Sequence, residues 1–255
     1  MTTKHRSLLI LFAFFAARAA FADGNWTDLR TGMAVFTGSY SHRAPLQQVR
    51  IVAIRMDQSL YRLRVVDLST NQMAPTLSLL ASDAKAVAAI NGAYVTSYAF
   101  PRPLGFARVR GSALSRMNPG RLFSGVLCID KNGRTSVIKT KSEPGPECVD
   151  ALQSGPLIVE EPGTNGISAT EPATRGFERS AVCLDDSSRV VLIRTTRTTL
   201  MDLAEFLRAA PIGCRVAINL SGDADSGLLW REKAQLRTNG SVDASLATAV
   251  VVTAR

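Results

Sequence analysis

Histidine is almost missing from this chain of 255 residues, which has two, His5 and His42. Only His42 lies beyond the N-terminal segment, and it precedes the first core strand. A Ser-His-Asp or Cys-His relay needs an imidazole beside its nucleophile, so neither relay fits. The chain has no GxSxG elbow, no phosphate-cradling P-loop, no GxGxxG and no HExxH. It has no CxxC, and its four cysteines do not fall at zinc-ligand spacing. No Gly/Ser or Pro-rich linker divides it, which favours one domain. Beyond residue 16 no apolar run approaches the ~20 residues that span a bilayer. What remains as chemistry is carboxylates, arginines, Asn, Ser and Tyr. That set suits glycosyl or phosphate chemistry, in which carboxylates act as acid, base or nucleophile and arginine grips phosphate.

The N-terminus carries its own signal. Lys4, His5 and Arg6 are basic, residues 7–16 are apolar, and Ala20-Phe21-Ala22 is a small-x-small cleavage pattern. Residues 1–22 therefore read as a signal peptide, with 23–255 as the mature domain. The alternative is an uncleaved anchor, for which the apolar run is short. The expected location is periplasmic or secreted, with no membrane span after signal cleavage. The formal charge of +9 falls to roughly +6 without the signal segment. This charge is spread as single arginines. It favours anionic glycans, phosphates or lipid head groups over nucleic acid as partners, and solubility alone is the other reading. An even cysteine count in an oxidising compartment favours two disulfides. Of the three connectivities, Cys128–Cys148 and Cys183–Cys214 each bracket what read as neighbouring strands.

Hydrophobic periodicity gives the coarse organisation. Residues 47–55 and 61–66 alternate on either side of Asp57-Gln58-Ser59 and read as a β-hairpin. Residues 75–85 place Leu77, Leu79, Leu80 and Ala84 at helical spacing. Residues 86–90 read as a buried strand ending at Asn91-Gly92. Further hairpins are expected around Gly111-Ser112, around Asn132-Gly133 and around residues 185–188. Residues 160–177 are rich in Gly, Pro, Thr and Glu and read as a mobile surface loop. Thr199-Leu200-Met201-Asp202 opens a helix to about residue 209. Residues 216–220 read as a strand that runs into the polar turn 221–227, and 247–252 as a last strand. The fold class expected is α+β: one domain with a mixed β-sheet, antiparallel hairpins and a few packed helices. Two of its strands end in Ala-Ile-Asn. If these lie side by side and parallel, their loops converge at one end of the sheet, where ligands bind. A chance match is the other explanation.

Several stretches resemble the phosphodiester glycosidases, relatives of the lysosomal enzyme that removes N-acetylglucosamine from a sugar-1-phosphate diester. Ala88-Ala89-Ile90-Asn91-Gly92-Ala93-Tyr94 is similar to that family's A-I-N-G-G-Y/F-F. Pro103-Leu104-Gly105 with Gly111 resembles its P-x-G…G hairpin. Leu152-Gln153-Ser154-Gly155-Pro156-Leu157-Ile158-Val159 is close to Q-S-G-P-x-L-V. Arg179-Ser180-Ala181-Val182 is similar to R-T/S-A-V/I-G, with Cys183 in place of glycine. The resemblance runs from about residue 49 to 252. Ala93 stands where the first motif has its second glycine, and the closing motif departs further. The family's N-L-D-G-G-x-S-S/T stands here as Asn219-Leu220-Ser221-Gly222-Asp223-Ala224-Asp225-Ser226. Ser221 thus occupies the position of the family's aspartate, Asp223 that of its second glycine.

The resemblance implies a hydrolase that cleaves the glycosidic bond of sugar-1-phosphodiesters in envelope or extracellular glycans, with a glycan or sugar-phosphate as ligand. It implies catalytic roles for Arg179, Asn91 and Asn219, with Asp223 or Asp225 supplying the displaced carboxylate. Substrate-binding roles fall to Gly92, Tyr94, Gln153, Ser154, Ser221, Gly222 and Ser226. No cofactor is implied, and two carboxylates are a weak signal for a divalent cation. Serine cannot replace the aspartate as a base without a histidine to activate it. The competing reading is therefore a catalytically inactive family member that binds glycan or phosphate. For Asp223 and Asp225 the bland reading is a solvated turn, for Arg179 a buried ion pair, and for Asn91 and Asn219 capping of strand ends.

Overall fold

The structure is a computed structural model and describes residues 23–41, 48–70, 76–83, 85–139, 141–168 and 175–255. The expected signal peptide and His42 lie outside the described residues, as do parts of the expected helix 75–85 and of the loop 160–177. Strands take 53% of the structure and helix 8%. This corrects the α+β expectation: the fold is β-rich, and the pairings among the described strands are antiparallel rather than mixed.

The strands, numbered along the chain, form three sheets. The largest has the order β1 (Asp23–Arg30), β2 (Met33–Ser41), β3 (Gln48–Met56), β14 (Val190–Thr198), β13 (Phe177–Asp185), β15 (Cys214–Asn219), β11 (Leu157–Glu160) and β12 (Thr164–Asn165). A second sheet runs β7 (Ser112–Ala113), β6 (Ala107–Val109), β10 (Cys148–Ser154), β8 (Gly125–Asp130) and β9 (Thr135–Lys139). The third runs β17 (Gln235–Gly240), β16 (Gly227–Glu232), β5 (Ala86–Asn91), β18 (Thr248–Ala254) and β4 (Tyr61–Asp67).

Alternation along the strands explains the layering. On β3 and β13, Val52, Ile54, Val182 and Leu184 point to one face and join Leu63, Ile90, Leu127 and Val250 in the core between the sheets. Ile51, Ala53, Ala181 and Cys183 point to the other face and meet the helix α1 (Leu200–Arg208). Period-2 patterning thus gives one sheet two apolar faces. The helix is there because Thr199 caps it, its side chain accepting from the Asp202 amide, and Leu203, Ala204, Phe206 and Leu207 form one buried stripe. Each large side chain so buried contributes roughly 1.5–3 kcal/mol. No described helix is long and apolar enough to cross a membrane.

Three local expectations are corrected. Residues 47–66 do not form a hairpin: β3 pairs with β2 and β14, and β4 crosses to pair with β18. The turn at Asp57 forms as expected, with Tyr61 donating to its carbonyl, but the next strand leaves for another sheet. The described part of residues 75–85 holds a 3-10 turn, Leu77–Ser82, of which Leu77 alone is buried. β5 and β15 are not parallel neighbours. β5 lies between β16 and β18, and β15 lies between β13 and β11. The expected pairings of β6 with β7, β8 with β9 and β13 with β14 form, and the last strand joins a sheet. Both disulfides form as expected, Cys128–Cys148 and Cys183–Cys214. Each ties strands of one sheet, β8 to β10 and β13 to β15.

Candidate functional site

The two Ala-Ile-Asn strands come from different sheets, yet their ends meet. The Ser221 amide donates to the Gly92 carbonyl at 3.1 Å, and the Asn91 Nδ2 donates to the Ser221 carbonyl at 2.8 Å. Asn91 is fully buried, and its Oδ1 also accepts from the Gly227 amide at 3.2 Å. Its side chain is thus occupied by backbone partners on both sides. Gly92 sits where β18 comes closest: a Cβ there would lie 2.1 Å from Thr248 Oγ1 and 2.5 Å from its carbonyl oxygen. Only glycine permits that approach.

Asn219 is buried as well, but its amide is used asymmetrically. Its Nδ2 donates to the Tyr94 hydroxyl at 2.8 Å, the Leu220 carbonyl at 2.7 Å and the Gly155 carbonyl at 3.2 Å. Its Oδ1 is buried and has no hydrogen-bond partner. A buried carbonyl oxygen without a donor costs about 1–3 kcal/mol. The Tyr94 hydroxyl in turn donates to the Gly155 carbonyl at 3.0 Å, and its ring stands edge-on to Phe123. Burial pushes the Tyr94 hydroxyl up to about 12, against the opposing pull of Arg179, so it stays protonated.

The turn after Asn219 holds the carboxylates. The Ser221 hydroxyl donates to Asp225 Oδ2 at 2.5 Å, and Asp225 Oδ1 is buried without a partner. Asp225 is 1% exposed. Burial raises its carboxyl above the usual carboxylate range, the Ser221 hydrogen bond opposes that, and Asp223 adds a further rise. Asp223 is exposed, adopts a left-handed φ of 51° and accepts from the Glu178 amide at 3.1 Å. Gly222 precedes it because a Cβ there would lie 2.5 Å from the Glu178 carbonyl oxygen. Ser226 is buried and pairs with the Ser180 hydroxyl at 3.0 Å.

Arg179 opens the neighbouring strand β13 on the same face as Asn219, since Ala181 lies opposite Asn219. It is 7% exposed. Its Nη2 donates to the Arg175 carbonyl at 3.1 Å and its Nε to the Thr198 carbonyl at 3.4 Å, and its guanidinium lies 4.9 Å from the Phe177 ring. Among the described residues no carboxylate pairs with it. Burial lowers its pKa, while Tyr94, Asp223 and Tyr40 oppose that from nearby. Among the described residues its charge is met by two backbone carbonyls and one aromatic ring.

The remaining sequence candidates are placed differently. Gln153 is fully buried and fully used: its Oε1 accepts from the Phe106 and Asn118 amides, and its Nε2 donates to the Asn118 and Phe123 carbonyls. It joins loops beside the site and has no valence left for a ligand. Ser154 is buried, with its Oγ unpartnered. The structure adds residues that sequence reasoning missed. Ser180 and Glu178 flank Arg179 and grip the acidic turn, and the Gly155 carbonyl gathers Tyr94 and Asn219. Tyr98 is 59% exposed, and its hydroxyl is raised first by partial burial and then by the nearby charges of Asp225 and Asp223, which places it beside the turn. An exposed aromatic in a proline-flanked loop was the available signal. No cluster of three or more His, Cys, Asp or Glu able to hold a metal occurs among the described residues.

Comparison with known proteins bears on this geometry. No curated protein matches the chain in sequence. A hypothetical protein from Synechocystis matches in structure with a TM-score of 0.70 at 14% identity; the match covers 91% of this chain and 64% of that one. This chain therefore spans less than two thirds of the Synechocystis protein. The catalytic domain of the zebrafish N-acetylglucosamine-1-phosphodiester alpha-N-acetylglucosaminidase, auto-inhibited by its pro-peptide, matches with a TM-score of 0.69 at 14% identity, over 92% of this chain and 88% of that one. A Burkholderia pseudomallei protein described as exported matches with a TM-score of 0.60 at 12% identity, over 82% and 75% of the two chains. At these identities the likeness shows the fold. The sequence profile of the phosphodiester glycosidases matches residues 84–253, most of the chain and every strand that builds the site from β5 onward. The chain belongs to the phosphodiester glycosidase family.

Proposed function

We propose that the protein is an exported hydrolase, periplasmic or secreted, that cleaves the anomeric C–O bond of sugar-1-phosphodiesters in envelope or extracellular glycans. The observation that carries this reading is the Asp225 carboxyl. It is buried, held by the hydroxyl of Ser221 where the family has its aspartate, and has one oxygen free. Asp225 thus supplies from four residues downstream the charge that Ser221 lacks.

The chemistry then divides among named groups. The leaving phosphate monoester is already anionic and needs little help from an acid. Arg179, buried and without a counter-ion among the described residues, takes its charge, which strengthens as the bond breaks. The free Oδ1 of Asn219 accepts from a sugar hydroxyl and fixes the ring. Water attacks the anomeric carbon, its proton passes to Asp225, and the bonding pair of the anomeric C–O bond leaves with the phosphate. An oxocarbenium-like centre between these states is stabilised by the Asp225 charge. Asn91 and Gln153 hold the loops in position. Its raised proton affinity makes Asp225 a stronger base than an ordinary carboxylate.

The test is hydrolysis of the methyl diester of N-acetylglucosamine-1-phosphate in ¹⁸O water, followed by mass spectrometry. The expected result is ¹⁸O in the released sugar and none in the phosphate monoester. Label in the phosphate would place the cleavage at phosphorus and sink the mechanism. Absence of turnover with saturable binding would favour the alternative, an inactive member that binds glycan or phosphate.

A further inference from the structure

The same end of the largest sheet carries a cavity. The β2–β3–β14 face that turns toward β17 opens into a space of about 630 Å³ lined by Ser39, Gln48, Arg50, Arg194, Thr196 and Asn239, among others. None of its lining residues is acidic or aromatic. Register explains the pairing of the arginines. Arg194 lies opposite Val52 and Thr195 opposite Ile51, so Arg194 and Arg50 project from the same face as diagonal neighbours, about 7–8 Å apart.

The two arginines differ in their partners. Arg194 is 6% exposed, pairs with Glu178, donates to Asn239 Oδ1 at 3.2 Å and keeps a buried Nε without a partner. Arg50 is exposed and has no ion pair among the described residues. Ser39, Gln48, Thr196 and Asn239 add hydroxyls and amides around them. This lining suits an anion attached to hydroxyl-bearing rings. It offers no aromatic face for stacking a nucleobase.

Glu178 joins the cavity to the candidate site. The Glu178 carboxylate holds Arg194, and its amide holds Asp223 at 3.1 Å. Arg179, next in sequence, lies opposite Thr195 on the other face. From β13 to β3 is two strand spacings, about 10 Å. A ligand reaching both places must cross the end of β13 and β14.

We propose that this cavity is a second anion subsite, so that the substrate is a polymer with repeated phosphodiester-linked sugars rather than a single diester. One phosphate sits at Arg179 while a neighbouring one is held at Arg50 and Arg194. This rests on the hydrolase reading above for its catalytic consequence, but not for binding.

The experiment compares the wild type with Arg50→Glu and Arg50→Lys on two substrates. One is the single-link methyl diester, and the other is a synthetic trimer of N-acetylglucosamine joined by 1,6-phosphodiester links. The expected result is a loss of about tenfold or more in kcat/KM on the trimer for Arg50→Glu, under about twofold on the single-link diester, and near-wild-type values for Arg50→Lys. Equal loss on both substrates, or no loss on the trimer, overturns the proposal. If the wild type hydrolyses neither, the hydrolase reading fails on its own, and calorimetry with the trimer decides the subsite. Weaker binding by Arg50→Glu than by the wild type supports it, and equal binding overturns it.

Discussion

The two strands that end in Ala-Ile-Asn put the same three residues to opposite uses. At β5 the asparagine is spent: Asn91 gives its Nδ2 to the Ser221 carbonyl and its Oδ1 takes the Gly227 amide. At β15 the asparagine is half spent, since Asn219 Oδ1 is buried and unpartnered. The segment after Asn91 closes onto β18 at Gly92, whereas the segment after Asn219 presents a buried carboxyl at Asp225. One end is a clamp, and the other is the face to which the proposed function assigns the ligand. A buried polar group that is fully paired stabilises and specifies structure, and one left unpaired calls for an explanation.

The sharpest way to break this comparison is to remove the charge. Asp225→Asn is expected to lower kcat on the single-link diester by about 10³-fold, within the 10²–10⁴ range of a positioned general base. Asp223→Asn, in the same turn but exposed, is expected to cost under about tenfold. Stability should move the other way. A carboxyl raised above its unfolded value binds more protons folded than unfolded, so its contribution to stability falls as pH rises from about 4 through the raised value. Thermal melting at pH 7 should therefore show Asp225→Asn no less stable than wild type.

Arg179→Met comes next, with about a 100-fold loss in kcat/KM, as for removal of one transition-state donor. Its melting temperature is expected to be unchanged or raised, because an unpaired buried cation is replaced by an apolar side chain. A large loss of stability would show instead that Arg179 holds a structural ion pair.

The asparagines themselves give the direct contrast. Asn91→Ala is expected to cost about 2–3 kcal/mol in denaturant unfolding, since it strands buried backbone groups on two segments. Its activity per folded molecule should change little. Asn219→Ala is expected to raise KM by about tenfold, through loss of the acceptor for a sugar hydroxyl. If Asn91→Ala proves the more damaging to KM, the assignment of clamp and ligand face is reversed.

The smallest effect concerns Ser221. Its hydroxyl lowers the proton affinity of Asp225 against the larger effect of burial. Ser221→Ala should move the acid limb of the kcat/KM profile to higher pH. A limb that stays in place would mean that the titrating group is not Asp225.

Much of this molecule was legible before any coordinates. The disulfide pairs, the Asn-Gly hairpin, the capped helix at Thr199 and the run of family motifs all rest on local chemistry. The bringing together of residues 91 and 219 was also anticipated, but for the wrong reason. A parallel pair within one sheet was expected, and the loops meet instead across two sheets. Alternation cannot say which sheet a strand joins. The same limit made residues 47–66 look like a hairpin, because a turn at Asp57 serves equally well for a strand that pairs back and one that departs. The α+β expectation failed because the two-residue alternation of so many strands outweighs one capped helix. Arg179, Asn219 and Asp225, which the proposed function uses, were named from sequence, and the structure brings them to one end of the largest sheet. That Asn91 and Gln153 are consumed by backbone partners could not be read there, since both asparagines carry the same sequence words. Glu178 and Ser180 were invisible because their roles depend on cross-strand neighbours.

Chemical rescue tests the central claim, that Asp225 supplies a carboxylate from a displaced position. Asp225→Ala and Asp223→Ala are each assayed on the single-link diester with increasing sodium formate. The account predicts that Asp225→Ala is nearly inactive and regains turnover in proportion to formate, while Asp223→Ala keeps most of its activity and ignores it. Full activity in Asp225→Ala, or rescue confined to Asp223→Ala, would contradict it.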